Sequence, residues 1–169
     1  MTPTAPTPTP KMRRVFADAL HRHMAANKDI WVITADLGYK MWDTIRDDYP
    51  GRFVNAGASE NAMMGMAVGL ALEGKIPVIY SITPFLLYRS FETLRNYVNH
   101  ERIPVKLVGS GRGRDYAHDG FSHWAEEDRD ILKVLGNIEA RWPEDAAQLP
   151  AIIEDMLSRP VPFYLNLRK

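Results

Sequence analysis

The chain has 169 residues, 46% of them hydrophobic, with 21 basic and 21 acidic side chains and no cysteine. That length suits one domain with a sizeable core, and balanced charge without any basic cluster excludes a nucleic-acid footprint or an anionic-membrane patch. The absence of cysteine excludes disulfides, thiolate zinc sites and cysteine nucleophiles and fits a cytoplasmic protein; no apolar run reaches the ~18 residues of a membrane span, and the N-terminus lacks a secretory pattern.

Thr2 to Pro10 alternates threonine with proline, which favours extended, solvated chain. Residues 1–10 are therefore read as a disordered tail and 11–169 as the domain. Val15, Phe16, Ala19, Leu20, His23 and Met24 then trace a helix ending near Asn27. Ile30–Ala35 is a continuous apolar strand of the kind buried on both faces of a parallel sheet. Further strands are predicted near Phe53 and over Pro77–Ser81, Pro104–Gly109, Asn137–Arg141 and Pro162–Leu167. Helices are predicted over Trp42–Tyr49, Asn61–Glu73, Phe85–Asn99, Trp124–Leu135 and Asp145–Leu157. Strand–helix alternation with short links predicts an α/β domain, a mostly parallel sheet flanked by helices. Ligands of such sheets gather at the carboxyl ends of the strands, where Asp36, Glu60, Phe85 and Gly109–His123 all fall.

The most informative stretch runs from Arg52 to Pro77. Phe53 and Val54 form a short strand, Gly57 and Ser59 supply a turn and a capping hydroxyl, and Glu60 opens a helix. An acid there can simply favour the helix dipole, or it can serve chemistry. Met63, Met64, Met66, Ala67, Leu70 and Ala71, with small residues between, predict a helix packed on several sides and buried. Beyond it come a strand, a proline break and aromatics at three-residue intervals: Phe85, Tyr88 and Phe91.

Taken together, these segments resemble the pyrimidine-binding domain of the transketolase and deoxyxylulose phosphate synthase group of thiamine diphosphate enzymes. The resemblance continues through Ile103–Gly109, Asp119-Gly-Phe-Ser-His123 and Glu127-Asp128, and covers nearly everything from Lys11 onward. It implies that Glu60 is the glutamate that hydrogen-bonds the far ring nitrogen of the cofactor's aminopyrimidine, promoting the tautomer that takes the proton from the thiazolium ring. Phe85, Tyr88 and Phe91 would form the pyrimidine pocket; Phe91 stands where related transketolases often carry tyrosine. Asp36 would accept a hydrogen bond near the pyrimidine and Leu37 would wedge beneath the cofactor, although Asp36 reads equally as a turn cap. Asp119 and His123 match the family's Asp-Gly-Pro-Thr-His, implying that Asp119 orients a substrate hydroxyl and His123 bonds the reacting oxygens or relays a proton.

Other patterns point away from alternative chemistry. Gly109-Ser-Gly-Arg-Gly113 lacks the dinucleotide fingerprint, and His118 with His123 lacks zinc spacing. His118 also stands where a Gly-Asp-Gly motif would begin, and no asparagine pair follows, so the diphosphate and magnesium half of the cofactor site is missing. No metal ligands are assigned to this chain. The expectation is therefore the pyrimidine-domain subunit of a split transketolase-like enzyme, active only with a separate diphosphate-binding subunit in an α2β2 heterotetramer. It would transfer a two-carbon ketol or acyl unit from a small ketose or 2-oxoacid, using thiamine diphosphate and Mg2+ held mainly by the partner. Alternatives are a subunit of a 2-oxoacid decarboxylase or carboligase, or a non-catalytic assembly domain. The positions that contact substrate phosphate in related transketolases correspond to Lys40, Gly111 and Trp142, so a common sugar phosphate is not the expected substrate, though Lys40 or Arg112 can still bind an anion.

Overall fold

In the computed structural model, residues 11–169 are described; the Thr/Pro segment expected to be disordered lies outside them. Six strands form one sheet in the order β2-β1-β3-β4-β6-β5, and every neighbouring pair is parallel. They are β1 Ile30–Thr34, β2 Phe53–Asn55, β3 Ile76–Ile82, β4 Lys106–Ser110, β5 Glu139–Arg141 and β6 Phe163–Leu167. The helices are α1 Met12–Ala26, α2 Asp43–Asp48, α3 Glu60–Leu72, α4 Thr83–Tyr88, α5 Phe91–Thr93, α6 Asp128–Val134 and α7 Leu149–Ser158.

The two-residue alternation of the central strands divides the apolar side chains between two layers. Val32, Val78, Tyr80, Val108 and Leu165 pack with α1 and α7 through Phe16, Leu20, Met24 and Ile153. Ile33, Ile79, Leu107 and Tyr164 pack on the other face with Met63, Met64, Ala67, Leu86 and Leu132. The α/β expectation thus holds as a three-layer arrangement, both faces of the sheet being covered by helices.

Three expectations need correction. The helix expected over Phe85–Asn99 is broken: α4 stops at Tyr88, α5 begins at Phe91, and Leu94–His100 is π-helical. Ser90 explains the break, because its hydroxyl takes the Leu86 carbonyl at 2.8 Å that the backbone would otherwise use. Helix α3 is not buried all round; Met63, Met64 and Ala67 face the core while Ala62, Gly65, Met66 and Leu72 face solvent. Ser59 precedes α3 without a side-chain capping bond. No helix among the described residues is long and apolar enough to cross a membrane.

Candidate active site

The carboxyl ends of β1, β3 and β4 and the segment after β2 lie along one edge of the sheet. After β2 the chain turns at Gly57, whose φ of +69° suits glycine, and α3 starts with Glu60. This aims the Glu60 side chain back beneath the end of β3. Its carboxylate is only 3% exposed and accepts from Ser81 Oγ at 3.3 Å and Arg89 Nη1 at 2.9 Å. Burial of a carboxylate is costly unless it is paired and hydrogen-bonded, and both conditions are met here.

Pro84 and Thr83 open α4 directly after β3, without an intervening loop. Pro84 occupies a first-turn position where its missing N–H costs nothing, and the Thr83 hydroxyl donates to the Gly111 carbonyl at 2.8 Å. Phe85 follows two residues later and is half-buried. The Arg89 guanidinium lies over the Phe85 ring at 3.7 Å, and the His123 ring stands edge-on to it with centroids 4.8 Å apart. Tyr116 completes the wall behind His123, its hydroxyl 2.9 Å from Ser110 Oγ. The Tyr116 ring fits only because residue 111 is glycine: a Cβ there would meet the ring at 2.5 Å.

The structure therefore brings Glu60, Phe85 and His123 together, and places the other candidates around them. Tyr88 and Phe91 are each 38% exposed. The Tyr88 hydroxyl donates to Glu127 at 3.2 Å, and its pKa is raised by burial and by that carboxylate. Asp36 sits at the end of β1 in a left-handed conformation, with its backbone N–H donating to Asn55 Oδ1 at 2.9 Å and its carboxylate accepting from Asn55 Nδ2 at 3.3 Å. Asp36 and Leu37 line a separate hollow of about 310 Å³ with Lys40, Trp42 and Arg46. Asp119 pairs with His118 at 3.2 Å instead of with His123.

Sequence reasoning missed two features. Arg89 is four residues beyond Phe85, on the same helical face, and that spacing was its available signal. The second is a buried cluster centred on Asp128, whose Oδ2 accepts from Trp142 Nε1 at 2.7 Å, Tyr164 at 3.0 Å and Asn166 Nδ2 at 3.2 Å. Asn166 also donates to Thr83 Oγ1 at 3.1 Å and the Gly111 carbonyl at 3.0 Å, so the cluster braces both segments that carry the pocket. Burial and the Asp128 charge push the Tyr164 hydroxyl well above its usual pKa, keeping it a donor. Arg112 belongs here too: it donates to Asn166 Oδ1 at 3.0 Å and the Pro143 carbonyl at 2.9 Å. Its expected availability to an anion gives way to this structural engagement, and Trp142 is likewise committed to Asp128.

Among the described residues no group of three His, Asp or Glu is placed to hold a metal ion. Arg89 bridges the two walls, its guanidinium donating to Glu60 and lying over the Phe85 ring.

Comparison with known proteins gives the family. The model of the transketolase pyrimidine-binding domain family matches residues 8–169. A putative transketolase C-terminal section from Methanocaldococcus jannaschii is 31% identical over 157 residues, covering 92% of this chain and 50% of that protein. Subunit SqwH of a 6-deoxy-6-sulfo-D-fructose transketolase from Clostridium sp. is 30% identical, with coverage of 92% and 49%. A solved structure described as a split gene transketolase, inactive beta4 tetramer, superposes with a TM-score of 0.82 at 32% identity, covering 93% of this chain and 50% of that one. The chain spans about half the length of the curated relatives it matches.

Proposed function

This chain belongs to the transketolase pyrimidine-binding domain family, and on that premise we propose that it is the pyrimidine-domain subunit of a split, thiamine diphosphate-dependent transketolase-like enzyme. The observation that carries this reading is the Glu60 carboxylate, buried at the carboxyl edge of a parallel sheet and joined to the half-buried Phe85 ring through Arg89. When bound, thiamine diphosphate supplies the electron sink for transfer of a two-carbon ketol or acyl unit.

The chain's own residues bind, orient and tune. Phe85 offers an aromatic face to the pyrimidine and keeps water from one side of it. Glu60 exchanges a proton with the far ring nitrogen, and Ser81 holds the carboxylate in place from the β3 side. His123, edge-on to Phe85, faces the reacting end and bonds substrate oxygens. Asp119 reaches a substrate hydroxyl after leaving His118. Tyr88 and Phe91 form outer contacts of the cofactor, and Asp36 and Leu37 approach it from the neighbouring hollow at the end of β1.

A partner chain carrying a Gly-Asp-Gly motif and a following Asn would hold the diphosphate and magnesium, in an α2β2 assembly with two-fold symmetry. The subunit status of one relative and the inactive beta4 state of another support this division. The exposed face of α3 with Met66 offers apolar surface for that contact, while Met63 and Met64 lie in the chain's own core. The substrate is a small ketose or 2-oxoacid, handled in the cytoplasm.

The test is reconstitution. The purified chain should be inactive alone and gain ketol-transfer activity when mixed with its diphosphate-domain partner, thiamine diphosphate and magnesium. Turnover by the rigorously purified single chain would refute the division of labour, as would a mixture that binds cofactor yet transfers nothing from any ketose or 2-oxoacid.

A further inference from the structure

Arg89 stands just beyond the end of α4, and its guanidinium meets both walls of the pocket. It stacks on Phe85 at 3.7 Å and donates to Glu60 at 2.9 Å. These are the two properties by which the pocket would recognise an aminopyrimidine: a flat face for the ring and an N–H for the buried carboxylate. Little else restrains the side chain. It is 49% exposed, and Glu60 is its sole ion-pair partner among the described residues. Arg112 provides the contrast, with a guanidinium 11% exposed and tied to Asn166, Pro143 and Glu144. Arg112 is built in, whereas Arg89 can leave by side-chain rotation without disturbing α4.

We propose that Arg89 competes within the chain for the pyrimidine pocket: the aminopyrimidine of the cofactor displaces the guanidinium from Phe85 and Glu60, and Arg89 swings into solvent. The proposal rests on the reading of the pocket as a pyrimidine site. It adds a residue that sets cofactor affinity, and it gives Glu60 a counter-charge until the cofactor arrives. An ion pair whose arginine is half in solvent, together with a cation–π contact, can be exchanged for a ligand yet is strong enough to be felt in binding.

The experiment titrates the full chain with the free hydroxymethyl aminopyrimidine half of thiamine, followed by NMR, for the wild type and Arg89→Ala. Thermal melts should show the variant folded, at a lowered midpoint because Glu60 loses its counter-charge while the core packing is untouched. Removing the competitor should tighten probe binding about tenfold. In the wild type, the Arg89 guanidinium resonances, shifted by the Phe85 ring, should move to solvent-like positions with the same midpoint as the probe. Equal affinities with unmoved Arg89 resonances would overturn the competition and leave the pyrimidine site standing. Weaker binding by Arg89→Ala would overturn it too and make Arg89 a ligand. Absence of binding by both proteins would remove the pocket reading and the competition together.

Discussion

Glu60 and Asp128 are both buried carboxylates, 3% and 2% exposed, near the same edge of the sheet, yet their surroundings differ in kind. Asp128 is held by Trp142, Tyr164 and Asn166, neutral donors fixed in or against the core. Glu60 is held by one serine and by an arginine that is half in solvent. Burial alone does not separate a structural acid from a chemical one. What separates them is whether the partners can leave: Asp128 is locked, whereas Glu60 can exchange its arginine for a ligand.

The comparison breaks most sharply at Asp128. Asp128→Ala leaves three donors facing a cavity, so unfolding should be easier by about 3 kcal/mol or more. Denaturant titration checks this; a change under about 0.5 kcal/mol, the range of ordinary surface substitutions, would show the cluster to be dispensable. Glu60→Gln should do the reverse. The amide keeps the shape and still accepts from Ser81, so the melt should barely move while turnover of the reconstituted enzyme falls by about a hundredfold or more. A destabilised variant with full activity would place Glu60 with the structural acids.

Lys106 sharpens the same distinction from the opposite end of the sheet. It is 1% exposed, and its ammonium donates to the Arg159 and Val161 carbonyls at 2.7 and 2.6 Å. These partners are backbone, so Lys106→Met should cost about 1–3 kcal/mol of stability by leaving carbonyls unmatched, without changing cofactor affinity. Burial also lowers the Lys106 pKa from 10.5 to about 8. Below pH 8 the folded and unfolded chains both hold this proton, and the contribution is flat. Above it the folded chain releases the proton while the unfolded chain retains it up to 10.5, so stability should rise with pH through that window. Tyr164, whose hydroxyl is held above its usual 10.0, opposes the trend only above that value. Unfolding midpoints on either side of pH 8 should show the rise in the wild type and its loss in Lys106→Met.

The smallest effect is expected at Tyr88. Tyr88→Phe removes one hydrogen bond to exposed Glu127, and stability should change by less than about 0.5 kcal/mol. A larger change in thermal melts would move Tyr88 from the pocket's rim into the structural frame.

The strands were legible because both faces of the sheet are covered, which makes Ile30–Thr34 and Phe163–Leu167 continuous apolar runs. Glu60 was legible because strand, glycine turn and helix follow one another locally. The interruption at Ser90 was not, since it depends on one hydroxyl choosing a carbonyl over water. Asn166 read only as part of a strand, and its bond to Thr83 spans 83 residues. No local pattern encodes such a pair. Arg89 lies between aromatics in the sequence, and its four-residue step from Phe85 carries the information. The exposed half of α3 had looked buried because its small side chains are apolar, which composition cannot distinguish from core.

The most direct test of the account is the rate at which the reconstituted enzyme exchanges the acidic thiazolium hydrogen of thiamine diphosphate for deuterium, measured by quenched NMR in wild type and Glu60→Gln at saturating cofactor. The account predicts rapid exchange in the wild type and at least about a hundredfold slowing in the variant, because the amide cannot pass a proton to the pyrimidine. Equal exchange rates in the two proteins would contradict it.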